Sequence, residues 1–279
     1  MTARALICLA ALLCLAVTGA QAAEAPAPAA KPVEAPQPVP RLADGRPDFN
    51  GTWDNGAGID FVNPQKSADG SICVSGCPRP AAAPGAAPRP APPAPDRPKY
   101  KPELVAKVKD LEAKQVEHDP VLRCRSPGLP RIGPPDKIVQ IPGQMVFLYD
   151  DVSGGFFRIV PTDGRPHRKD VDESYLGDSV GRWEGDTLVI ETANFNDDSW
   201  LTDDGAFHTK GLHVTERLSR NGDTMEWLAV ADDPDVLAEP WKLRPRRMKL
   251  TTQELAEPVP CIEQDLKHVI DGTHHDNPR

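Results

Sequence analysis

The chain predicts a mainly β protein: an antiparallel barrel of about eight or nine strands, one clear α-helix and Pro-rich disordered segments. Three observations carry that expectation. Two Gly-containing hairpin turns stand between strand-like runs. Short β-branched and aromatic segments recur from Ile138 to Leu250. A helical apolar stripe is clear in one place only.

The first turn lies in Gly177 to Trp200, GDSVGRWEGDTLVIETANFNDDSW. Glu184-Gly185-Asp186-Thr187 separates Arg182-Trp183 from Leu188-Val189-Ile190, and Gly supplies the positive φ of a tight hairpin turn. The signal recurs at Asn221-Gly222-Asp223-Thr224, before Met225 to Val230. Two hairpins in succession argue for an antiparallel meander.

The N-terminus reads differently. Arg4, an apolar run from Ala5 to Val17 and Ala20-Gln21-Ala22 make a secretory signal peptide over residues 1–22. The run is too short for a membrane span, so a soluble periplasmic or secreted product is expected. Residues 23–41 form an Ala/Pro-rich linker, and residues 42–267 a single barrel domain. That domain opens with a turn and a strand at Trp53. It carries a Pro-rich insertion over 78–98, with nine prolines, and a helix over 102–118. Pro102 starts the helix, Leu104, Val108 and Leu111 share a face, and Glu103 and Lys107 stand at i,i+4. The helix is expected to cover the core at one barrel opening or side. Further strands follow at Met145–Tyr149, Phe156–Val160, Tyr175–Arg182, Thr187–Thr192, Leu212–Ser219, Thr224–Val230 and Trp241–Leu250. Residues 268–279 are a polar tail.

The net charge is −9, and loss of the first 22 residues, whose only charged side chain is Arg4, makes it −10. Such a protein repels nucleic acid and anionic lipid. Four cysteines remain beyond the leader: Cys73, Cys77, Cys124 and Cys261. In an oxidising compartment they favour two disulfides. Of three pairings, Cys73–Cys77 across a short loop comes first, which leaves Cys124–Cys261 to tie the start of the barrel to its end.

Chemistry-bearing residues gather between Asp163 and Asp204, with twelve Asp/Glu against four Lys/Arg. Asn194, Asn196 and Asp198 match three positions of a calcium loop, but Ser199 and Gly205 fail the next two, so a solvated acidic loop outweighs an irregular Ca²⁺ site. No metal or cofactor is assigned. On a strand, His213, Thr215 and Arg217 face one way and Val214, Glu216 and Leu218 the other. If the polar face is the inner one, His213, Thr215 and Arg217 line a cavity. Arg158, between Phe156 and Val160 on one face, also points inward. Arg182 and Trp183 add a cation and an aromatic wall. His167 or His213, with Asp178 or Glu216, could serve as acid and base.

The segments DGRPDFNGTW, CRSPGLPR, RIVPTDGRPH, GDSVGRWEGDTLVIETANFND, HVTERL and DDPDVLAEPW resemble a largely uncharacterised group of secreted bacterial proteins with DGRPD-x-x-G-x-W and GRWEGDTLV motifs. The resemblance implies architecture and secretion rather than a chemistry. Gly51-Thr52-Trp53 is similar to the G-x-W opening of lipocalin-like barrels. The expectation is therefore a lipocalin-like barrel binding a small organic molecule in its cavity. The alternatives are a cofactor-independent lyase or hydrolase acting on a sugar or aromatic, and an envelope interaction module. A filled barrel with an exposed apolar patch would favour the last.

Overall fold

The computed structural model describes residues 37–54, 65–66, 72–73, 96–151, 153–257 and 261. The expected leader, most of the linker and of the Pro-rich insertion, Cys77 and the polar tail lie outside them. The strands are β1 (Gly51–Asp54), β2 (Gln65–Lys66), β3 (Ile72–Cys73), β4 (Lys137–Ile141), β5 (Gln144–Asp151), β6 (Gly154–Pro161), β7 (Asp178–Glu184), β8 (Thr187–Ala193), β9 (His213–Asn221), β10 (Thr224–Asp232), β11 (Trp241–Lys242) and β12 (Arg246–Thr251). β2 and β3 pair with each other, and β11 adds to β10. The rest form a nearly closed nine-strand antiparallel barrel in the order β6-β5-β4-β1-β12-β10-β9-β8-β7.

The expected hairpins turn at Gly185 and Gly222, with φ of 59° and 56°. Alternation then sets the faces. On β10, Met225, Trp227 and Ala229 are buried in the barrel core; on β9, Leu218 joins them. Trp53 on β1 lies in the same core, and its Nε1 donates to Phe49 O at 3.0 Å. The interior is filled by these side chains with Phe147, Tyr149, Val160, Leu188 and Ile190.

Strand parity shapes the remaining wall. Every neighbouring pair on the path is antiparallel. Nine alternating strands leave the two end strands, β6 and β7, pointing the same way. They lie side by side, but among the described residues no ladder joins them. A parallel neighbour cannot be reached by a tight hairpin and needs a crossover of a dozen or more residues. Residues 162–177 supply it. The two strands pack closely at Gly181, where a Cβ would stand 3.1 Å from Val160 Cγ1 and 3.0 Å from Thr162 Cγ2, just beyond the end of β6.

The helical stretch spans 102–118, as periodicity predicts, but it is broken into three pieces. A 3₁₀ turn (Pro102–Leu104) leads into α1 (Val105–Ala113), and α2 (Gln115–His118) follows a non-helical Lys114. Leu104, Val108 and Leu111 do share a face. They pack on a second apolar cluster that includes Leu201, Phe207, Leu212, Val214, Ala231 and Trp241. Lys107 Nζ sits 3.7 Å from the centroid of the Phe207 ring, and an i,i+4 ion pair forms between Asp110 and Lys114 at 2.8 Å.

If Gly181 closes this end of the seam, Gly181→Val should overpack it. We expect a loss of about 1–3 kcal/mol, typical of methyl groups forced into a packed site. Urea unfolding would measure it, and an unchanged midpoint would contradict the close approach.

Candidate functional site

A cavity of about 730 Å³ opens along the β6–β7 seam. Phe156, Arg158 and Ser179, which face inward, line it together with Phe157, Ile159 and Val180, which face outward. Side chains alternate along a strand, so one cavity meets both sets only beside free strand edges. The crossover supplies a second wall through Arg165, Pro166, Arg168, Tyr175 and Leu176. Cys124, Arg125 and Ser126 also line it. They are anchored by the Cys124–Cys261 disulfide, whose Cα atoms are 5.4 Å apart.

Behind this cavity a polar network crosses the barrel core. Arg158 Nη1 donates to Glu216 Oε2 at 2.5 Å, and Trp227 Nε1 donates to Glu216 Oε1 at 2.9 Å. Arg158 Nη1 also reaches Thr192 Oγ1 at 3.5 Å, and Thr192 shares a 2.9 Å hydrogen bond with Ser179. Arg158 and Glu216 are both buried. Burial opposes the Arg158 cation, but Glu216 beside it holds its pKa above the ordinary value. The guanidinium also lies 5.2 Å from the centroid of the Phe147 ring. Its Nε and Nη2 have no hydrogen-bond partner. The Tyr149 hydroxyl lies within reach of the guanidinium charge, yet makes no well-aligned hydrogen bond. Burial is the main cause that raises the Tyr149 pKa.

At the mouth, Asp178 is nearly enclosed and takes three hydrogen bonds. His167 Nδ1 is 3.0 Å from Oδ2, the Arg168 backbone N–H donates to Oδ2 at 3.0 Å, and Arg168 Nε donates to Oδ1 at 2.7 Å. Burial alone would raise the Asp178 pKa, but these donors outweigh it and hold the carboxylate below its usual range. The result is an ionised Asp178 that orients the His167 ring.

The structure therefore divides the expected site residues. Asp178, in the cavity lining, meets His167, which is not itself a lining residue, and Arg158 and Glu216 meet in the core. His213, Thr215 and Arg217 do not line this cavity. The Val214/Glu216/Leu218 face of β9 is the buried one, because Val214 and Leu218 supply the apolar surface and Arg158 neutralises Glu216. His213 is exposed, and Arg217 Nη1 pairs with Glu184 Oε2 at 2.9 Å on the outer wall. Arg182 is also outside, paired with Glu184 and Glu191. Trp183 does face inward, but it packs on Phe49 under Arg46 and does not line the cavity.

The Asn194, Asn196 and Asp198 loop braces itself. Asn194 Nδ2 donates to Val171 O and Asp172 O, Asn196 Oδ1 accepts from the Asp198 N–H, and Asp198 lies 3.9 Å from Arg125. Among the described residues no group of three or more His, Cys, Asp or Glu could hold a metal ion. His208 is buried, with Nε2 2.8 Å from Ser199 Oγ and Nδ1 3.0 Å from Thr209 O. Burial pushes its pKa down.

Sequence reasoning missed the seam itself and the crossover side chains Arg165, Tyr175 and Leu176. The signal was available in part: nine strands and one long β6–β7 connection imply an unpaired parallel edge. No known protein family, curated protein or solved structure matches the chain.

The buried pair generates a sharp expectation. Glu216→Leu alone should cost about 3–5 kcal/mol, because it strands the Arg158 charge. Glu216→Leu with Arg158→Met should recover most of that loss in denaturant unfolding. Additive losses would show that the two side chains are not coupled.

Proposed function

We propose that the protein is a secreted or periplasmic barrel that binds a small organic ligand, and that the ligand sits at the β6–β7 seam. The seam cavity carries this reading. Its volume lies in the range of about 300–1,000 Å³ usual for small-molecule sites. Its walls are mainly Phe156, Phe157, Ile159, Pro161, Pro166, Leu176 and Val180, with a few fixed polar groups among them. The location differs from the barrel-interior site expected from sequence, because core side chains occupy that interior.

A second reading has its own support. The filled barrel exposes Val139, Ile141, Phe157 and Ile159 on the outer wall, as an interaction module would. The acid-base alternative now rests on one pair, His167 held by Asp178.

Nile red, a neutral apolar dye, separates the readings. It should fluoresce with the wild type in a saturable way at one site. Val180→Trp, which pushes an indole into the cavity, should weaken that binding at least about tenfold, while circular dichroism stays unchanged. Equal binding by the folded variant would place the dye on the exposed strip and sink the seam reading.

A further inference from the structure

The charge distribution around the seam narrows the ligand class. The whole chain carries −9, yet the cavity lining holds four arginines (125, 158, 165 and 168) and one carboxylate, Asp178. Asp178 is already occupied by His167 and Arg168. A cationic head group would find no free carboxylate there. Arg158 is neutralised in the core by Glu216. Arg125 and Arg165 differ: their side chains remain 53% and 55% exposed, with room for a further acceptor. Among the described residues Arg125 pairs with Asp198 at 3.9 Å, too far for a strong hydrogen bond. Arg165 uses its Nε and Nη2 on Asp163. Guanidinium groups at the rim of an apolar cavity suit a planar anion, which can take two parallel N–H donors.

The apolar part of the site continues beyond the cavity. Phe157 and Ile159 line it and are 66% and 47% exposed. Across the sheet, Ile159 registers with Val146 and Val146 with Val139. A chain leaving the cavity over β6 therefore stays on apolar surface.

We propose that the ligand is an amphipathic organic anion: a carboxylate-type head held at the Arg125/Arg165 rim, and an apolar body along the β6–β7 seam. The proposal rests on the seam as ligand site. It adds the sign of the head group, which the cavity's shape does not set.

Three probes of one length test it: decanoate, decanol and decylammonium, each displacing Nile red below micelle-forming concentration. Decanoate should bind about tenfold tighter than decanol, and decylammonium weakest. Raising the salt should shrink the decanoate advantage, because exposed charges are screened. Arg165→Glu should cut that advantage several-fold in the same assay. If decanol matches decanoate, or decylammonium binds best, the head-group assignment is overturned while the seam site stands. If Nile red itself does not bind the wild type, both fall together.

Discussion

Strand parity is the constraint on which the rest depends. A closed antiparallel barrel needs an even strand count for every neighbour to alternate. Here the path contains nine strands, so β6 and β7 meet as parallel neighbours with no ladder between them. Each then presents free N–H and C=O groups, which folded proteins cover, twist away or leave wet. The crossover over residues 162–177 follows from the same count, since only a long connection returns the chain to the start of a parallel strand. The cavity is the space between the seam and that connection.

Something other than backbone hydrogen bonds must hold the seam. Gly181 allows close packing at one level. At another, Arg158 reaches from β6 across the core to Glu216 on β9 and to Thr192 on β8, and Ser179 on β7 joins through Thr192. The network thus links the two sides that the missing ladder leaves apart. A buried ion pair is weak evidence for net stability, because desolvation offsets its Coulomb gain. Its value here is positional: it sets β6 and β7 at a defined distance, and with that the width of the cavity.

Much of the fold was legible in the sequence because local chemistry and tertiary packing agree. Gly185 and Gly222 mark hairpins by the φ they need, and the strand runs between Met145 and Val230 keep their expected places except one: β7 starts at Asp178 rather than Tyr175, which leaves Tyr175 to Gly177 in the crossover. The inward direction of Arg158 was also legible, since Phe156 and Val160 flank it on one face. The β9 face was not. His213, Thr215 and Arg217 are the more polar set, but Glu216 interrupts the apolar face of Val214 and Leu218, and only the partner Arg158 shows why a carboxylate can face the core. His167 with Asp178 was legible as one of several possible acid-base combinations, but not as the one that forms. His167 lies within the crossover and Asp178 at the start of β7, and the 3.0 Å contact depends on how that segment returns.

The most direct test compares hydrogen exchange of the protein as isolated from its own host with the same protein after unfolding, ligand removal and refolding. The account predicts that the stripped form exchanges faster over residues 154–161 and 165–180, with β9 and β10 unchanged. Identical rates in the two forms, or protection confined to other strands, would contradict a ligand at the β6–β7 seam.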